Sequence, residues 1–516
     1  MVKVVATLRI TSPTFRKLYV HGSKCQPIRH KSISSSGQPP LNVPLAGLPT
    51  PVYISAEQAD HTLKMTVLKN GMRVATIPYF GNYCTIGVII DAGAKHAGNY
   101  VGGITHMLEK LAFNRTLAYD SKDSILLDLE RYGGICDCQA DRDFILYAVS
   151  AESQSVDPVT RILAETVVRA KITETELRNA ISAVRFDVDT LMSKPEQDQN
   201  MTELIHAAAF KDKTYGLPAI LPLENIKSIT KELIYTYMKN YYTPSRMVLC
   251  GVGVDHQTTV KAAEKYFQDM PPIWEVEKNL TLEGSKYAAQ ELTPEYVGGI
   301  AWDCCEIPTY ANADLPQLAH VVIALNAFPY ADPDFISLCV LNLMMGGGNS
   351  FSAGGPGKGM YSRLYINALN RHHWMFSCSA FNHSYTSCGL FGIHASSPPD
   401  YLSRLISIIV KELCAVAVDD IRHPLKRAKA QLRSLYLMNL ESRPMVFEDV
   451  ARQVIALGSW KDRDYFIKEM DKVTAHDVQR VARRLLASQP SVAARGEIAG
   501  MPSYDAICQK FRSSLN

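Results

Sequence analysis

The chain has 516 residues, 47% hydrophobic and 20% charged, an ordinary globular composition that is too long for one core and predicts two to four domains of about 150 residues each. No run approaches the roughly 18 to 20 apolar residues of a membrane-spanning helix, the best, Thr85 to Ile90, being short and strand-like. The formal charge of +3 belongs to the leader: residues 1–56 hold seven Lys and Arg and no acid, which leaves the rest with 47 Lys plus Arg against 51 Asp plus Glu, a net of −4. Such a body argues against a nucleic-acid partner and permits a cationic one.

The leader is rich in Ser and Thr, with Val4, Leu8, Phe15, Leu18 and Val20 interleaved among Lys3, Arg9, Arg16, Lys17, Lys24, Arg29 and Lys31. That composition predicts a mitochondrial transit peptide over about 1–33, removed near Arg29 to Ser34, followed by a Pro/Gly/Ser-rich lead-in over 34–60. Twelve cysteines at irregular spacings, Cys136-x-Cys138 and Cys304-Cys305 among them, show no zinc-ribbon and no C-x-x-C pattern. They read as small buried hydrophobes in a reducing compartment.

Lys64 to Pro78 predicts a hairpin, two alternating runs joined at Asn70-Gly71. Cys84 to Ala92 is an apolar central strand, and Gly102-Gly103 opens a helix over Ile104 to Phe113. A second helix spans Ser121 to Tyr132 and closes at Gly133-Gly134. Strands follow at Ile135 to Asp141 and Phe144 to Ala151, then long helices at Asp157 to Ala170 and Thr173 to Met192. The last of these opens with a capping box, Thr173-Glu174-x-Glu176. After Asp269 to Tyr296, which contains Pro271-Pro272 and no convincing period, the order recurs. Val321 to Phe328 is a strand, Phe335 to Met345 and Tyr361 to Asn370 are helices, Trp374 to Phe381 and Leu390 to Ala395 are strands. Pro399 to Val418 and His423 to Asn439 are long helices. An internally duplicated α+β unit is the simplest account of that recurrence.

Between two apolar segments lies G-G-G-N-S-F-S-A-G-G-P-G-K-G, Gly346 to Gly359. Seven glycines in fourteen residues remove side chains and let the backbone approach another chain closely. The block is no P-loop, because Ser352 and Gly359 stand where that motif needs Gly and Ser or Thr. Nor is it a dinucleotide fingerprint, because Phe351 stands where the third glycine after Gly346 and Gly348 belongs. A presented binding loop built from Gly346, Gly347, Gly348, Asn349, Ser350, Phe351, Ser352, Gly354, Gly355, Gly357, Lys358 and Gly359 remains.

The helix after Gly102-Gly103 carries His106, Glu109 and Lys110. Positions i, i+3 and i+4 share one face, so H-x-x-E-H there would place two imidazoles on zinc with Glu as general base. Lys110 breaks the pattern, since an ammonium has no lone pair and brings positive charge. It can pair with Glu109 or with a nearby acid such as Asp187 or Asp189.

At G-G-I-T-H-M-L-E-K-L-A-F (Gly102 to Phe113), at the glycine block continued through M-Y-S-R-L-Y to Tyr365, and at H-H-W-M-F-S-C-S-A-F-N-H-S-Y (His372 to Tyr385), the chain resembles the inverted-zinc-motif (pitrilysin-type) peptidases. The resemblance runs from about Lys64 to the C-terminus and is to an inactive member of that family. It implies duplicated domains, each a mixed, mostly antiparallel sheet packed against helices: 61–270 with the degenerate motif, a linker over 271–296, and 297–516 with the glycine-rich loop. It implies that the third ligand position falls on the helix 173–192, in a window that contains Asp187 and Asp189, and that the degenerate motif His106, Glu109, Lys110 and Asp187 binds no metal and does no catalysis. It further implies a heterodimer in the mitochondrial matrix whose beta partner carries the zinc and hydrolyses cationic presequences that this chain captures through its loop. Candidate acids facing such a substrate are Asp400, Glu412, Asp419 and Asp420. The family also contains structural core subunits of respiratory complex III, an alternative that implies inner-membrane association, although a scaffold gives no reason to keep so glycine-rich a loop.

Overall fold

The computed structural model describes residues 62–211, 213–289, 293–309, 317–349 and 359–515. The predicted leader and lead-in lie outside the described residues, as do Ser350, Phe351, Ser352, Gly354, Gly355, Gly357 and Lys358 of the glycine block.

The first half builds one six-stranded sheet from β1 (Lys64–Val67), β2 (Arg73–Ile77), β3 (Tyr83–Ile90), β4 (Ile135–Ala140), β5 (Ile145–Glu152) and β6 (Met247–Val252), in the order β1-β2-β6-β3-β5-β4. The Asn70-Gly71 hairpin is present: Val67 faces Arg73, Gly71 takes φ +91°, and the Asn70 side chain accepts from the Met72 N–H at 3.0 Å. β6 is buried at every position and β3 at all but its first, which is why both read as apolar runs rather than alternating ones.

The second sheet contains β7 (Gly299–Asp303), β8 (Ala319–Ala327), β9 (Gly347–Asn349), β10 (Ser377–Ser384), β11 (Gly389–Ser397) and β12 (Ser491–Arg495), ordered β7-β12-β8-β11-β10-β9. Without the edge strands β1 and β9 the two orders correspond strand for strand. The parallel pair β2–β6 matches β7–β12, and the remaining neighbours are antiparallel in both. The duplicated α+β architecture expected from the sequence is therefore the observed one.

Among the helices that frame the sheets and the space between them are α1 (Ile104–Leu111), α2 (Val156–Val168), α3 (Glu174–Met192), α4 (Asp198–Phe210), α5 (Phe335–Met345), α6 (Leu402–Ala415), α7 (Arg422–Asn439) and α8 (Arg443–Leu457). α3 has its capping box, with Thr173 and Glu176 satisfying each other's backbone N–H groups. α1 starts at Gly103, whose φ is +85° and where a Cβ would come within 2.2 Å of Leu221 Cα, so only glycine fits. The first core extends past residue 270, since Ile273 and Trp274 are buried in it.

Each half lends a helix to the other. From the first half, α4 lays Met201, Ile205, Ala209 and Phe210 on Val322, Ala324, Leu390 and Ala493 of the second sheet. From the second, α8 lays Val446, Phe447, Val450 and Val454 on Ala75, Ile77, Ile89, Val248 and Val252 of the first. Full burial of such a side chain stabilises by about 1.5–3 kcal/mol, whereas an exposed ion pair gives about 0–1 kcal/mol. Apolar exchange is thus a main joint between the halves.

One predicted helix differs. The helix expected over Tyr361 to Asn370 is present but shorter, 363–369, and its last five residues, Tyr365–Leu369, are π-type; its start is committed to the base of the glycine block.

Candidate functional site: a lysine in the zinc motif

α1 and α3 lie side by side in the first core and bring His106, Glu109, Lys110 and Asp187 together. The Leu221 N–H donates to His106 Nδ1 at 3.4 Å, which assigns the ring hydrogen to Nε2, and that nitrogen donates to Asp187 Oδ2 at 3.2 Å. Lys110 Nζ donates to the same Oδ2 at 2.5 Å and to Glu109 Oε1 at 3.1 Å. The other Glu109 oxygen accepts the Ala140 N–H of β4 at 3.0 Å. Partial burial alone would lower the Lys110 pKa, but its hydrogen bonds to Asp187 and Glu109 outweigh it and the net shift is upward. For Asp187 burial acts to raise the pKa, and Lys110 and His106 together pull it below the ordinary carboxylate value. Of the two acids considered for Lys110 besides Glu109, Asp187 is the partner, and Asp189 lies exposed.

These residues do not fit zinc. The second imidazole position is filled by a cation already held by two carboxylates, and a divalent ion at that place would meet its charge directly. Among the described residues no group of three His, Cys, Asp or Glu side chains is placed to hold a metal ion.

The cluster opens on a cavity of about 610 Å³ between the halves, walled by α1, α3, α4, the β4–β5 turn, the β10–β11 hairpin and Arg452 of α8. Its carboxylates are backed by buried guanidinium groups. Arg142 pairs with Glu203 at 2.8 Å, and Arg452 pairs with Asp141 at 3.3 Å and Glu448 at 2.8 Å. Both arginine side chains are 3% exposed, while Asp141, Asp187, Glu109 and Glu203 are each exposed by 23–38%. The two arginines are thus more buried than their carboxylate partners, and the exposed Lys194 also lines the cavity. Sequence reasoning missed these residues; the signal was Asp141-Arg142-Asp143, a charged turn between two alternating strands.

The back of the cavity is closed by the two turns related by duplication. Asp143, 1% exposed, accepts from Lys95 Nζ at 2.9 Å, Tyr215 OH at 2.6 Å, and the N–H and hydroxyl of Thr386 at 2.9 and 2.8 Å. Burial opposes the Lys95 charge, and Asp143 and Asp91 hold its pKa above the usual lysine value.

The described part of the glycine block is an edge strand. Gly347, Gly348 and Asn349 pair with Ser379, Cys378 and Ser377 of β10. A Cβ on Gly347, whose φ is +100°, would come within 2.0 Å of the Cys378 carbonyl oxygen. Ser362, fully buried, ties both ends of the block together: its hydroxyl accepts from Gly347 N–H at 3.0 Å and its N–H donates to the Gly359 carbonyl at 2.9 Å. Of the candidate acids, Glu412 and Asp419 bind Arg363 at 3.2 and 2.8 Å, so they anchor the segment after the block. Asp420 pairs with its neighbour Arg422, and Asp400 is exposed.

A duplicated sheet pair enclosing an inverted motif on α1 defines a class, and the family comparison agrees. The family described as Insulinase (Peptidase family M16) matches residues 73–223, the Peptidase M16 inactive domain matches residues 228–432, and the chain belongs to peptidase family M16. It is 43% identical over 490 residues to the mitochondrial-processing peptidase subunit alpha of Homo sapiens, covering 93% of this chain and 91% of the relative. It is 36% identical to the protein of that name from Caenorhabditis elegans, covering 86% and 87%, and 32% identical to that from Neurospora crassa, covering 94% and 93%.

Proposed function

We propose that this chain is the non-catalytic, substrate-recognising alpha-type subunit of a mitochondrial processing peptidase, a heterodimeric zinc metalloendopeptidase of the matrix. A beta subunit with the intact motif holds the zinc and hydrolyses, while this chain carries no metal or other cofactor. Its glycine-rich loop captures the N-terminal presequences of imported precursors. The observation that carries the reading is the Lys110 ammonium, held by Asp187 and Glu109 where a catalytic chain needs a neutral ligand. Glu109, Asp141, Asp187 and Glu203 on the cavity wall can pair with a cationic substrate, and a glycine-rich block whose two described ends are joined through Ser362 supports adaptable capture.

Reconstitution with the beta partner tests this. Deleting Gly346 to Gly359 is expected to abolish precursor binding and cleavage while the pair still forms; surviving cleavage refutes the loop's role. Purification from mitochondria separates the other family reading: a pair with one zinc-bearing partner supports processing, and a large inner-membrane complex supports a core subunit. Expression without residues 1–33 followed by import of the full chain tests the leader.

A further inference from the structure

We propose that the Lys110 ammonium is a structural replacement for a metal ion, an internal cation that clamps four separate segments of the first half around the cavity. The inference rests on the reading that this chain holds no zinc and adds what takes its place. Nζ bonds Asp187 of α3 and Glu109 of α1. Through Glu109 it reaches the Ala140 N–H on β4, and through Asp187 it reaches His106, whose other nitrogen accepts the Leu221 N–H. One cation is thereby the hub for α1, α3, the β4 edge and the 217–223 segment.

The charges require such a hub. Glu109 and Asp187 both touch Nζ, which puts the two carboxylates within about 6 Å of each other in a partly buried site where like charges repel. A bound divalent ion could offset that pair; here a side chain anchored on α1 does so with no entropy of ion capture and no dependence on metal supply. An ordinary surface ion pair joins two groups and contributes little. This one differs because both of its acceptors pass the constraint on to backbone or imidazole partners in other elements.

The test uses the full chain and three variants, with zinc content and hydrogen exchange as readouts. The unaltered chain is expected to hold no zinc and to keep its exchange pattern in chelator. Lys110→Met should speed exchange in 104–111, 135–140 and 181–192 together by about tenfold, whereas Lys110→Arg, which keeps the charge, should leave it near the starting rate. Lys110→His should lose protection in chelator and regain it with added zinc. Unchanged exchange in Lys110→Met, or equal loss in Lys110→Met and Lys110→Arg, overturns the clamp and leaves the zinc-free reading standing. Stoichiometric zinc in the unaltered chain, with protection lost in chelator, overturns the zinc-free reading itself.

Discussion

Asp143 accepts two hydrogen bonds from Thr386, one from its backbone and one from its hydroxyl, although 243 residues separate them. Each sits in the turn of a hairpin that the duplication relates, so the two halves touch at corresponding points. Breaking a buried, fully bonded charge costs about 3–5 kcal/mol because its partners are left unpaired. Asp143→Ala should lower the unfolding free energy by that amount and Thr386→Val by about 1 kcal/mol, each read as a lower denaturant midpoint at unchanged slope. A loss no larger than that of the exposed Asp400→Ala would sink the assignment.

The base of the glycine block makes a second prediction. Gly347→Ala forces a Cβ into the Cys378 carbonyl and should detach β9 from β10, costing about 3 kcal/mol, while Ser362→Ala removes one hydrogen bond and costs about 1 kcal/mol. If the block captures precursors, both should weaken precursor binding by roughly tenfold in a titration with labelled presequence. Full affinity in Gly347→Ala, with β9 detached by hydrogen exchange, would contradict this.

Acid sensitivity follows from buried histidines. His320 is on β8, its Nδ1 3.1 Å from His394 Nε2 on β11, and His394 pairs with Asp198 at 3.0 Å. Burial, then the charges of His394 and Arg495, lower its pKa to about 3, with Asp198 opposing. His206, bonded to Tyr385 OH at 2.7 Å, is also held far below the usual value by burial. The unfolded chain takes up these protons near pH 6.5 and the folded chain does not. Stability should therefore fall as pH drops below about 6.5, by about 1.4 kcal/mol per pH unit for each histidine. Thermal melts from about pH 7.5 to about pH 5 check the slope, and His320→Gln should flatten it.

At Lys110 and Asp187 the signs are opposite at the two ends of the scale. The raised Lys110 pKa stabilises below the free-lysine value of 10.5 and is lost as pH rises through the folded value. The lowered Asp187 pKa stabilises above 3.8 and is lost as pH falls through its folded value. Because Asp187 is about a third exposed, solvent screening limits Asp187→Asn to about 1 kcal/mol at neutral pH, read as a denaturant midpoint. No difference between Asp187→Asn and Asp189→Asn would argue against the pair.

Much of this was readable in advance, for physical reasons that differ by element. Asn70-Gly71, Gly103 and Thr173-x-x-Glu176 are local signals, each fixed by a backbone angle or a cap, and each appears where it was expected. Lys110 was legible because helix periodicity alone puts residues 106, 109 and 110 on one face. β6 and β12 went unseen because Met247–Val252 and Ser491–Arg495 are short runs whose strand character comes from insertion beside distant strands. The exchange of α4 and α8 also left no local mark, since an apolar helix stripe does not say which sheet it covers. Arg452, brought to the cavity by that exchange, was invisible for the same reason.

The exchanged helices bear on how such a chain arose and how it comes apart. A single ancestral copy would have had one bare sheet face and one unmatched helix, a combination that two copies satisfy mutually, as a domain-swapped homodimer does. Joining such copies end to end would make the association permanent and free each to diverge. A protease cut between Val276 and Gly299 should accordingly leave two fragments that stay bound through α4 and α8 and elute as one species.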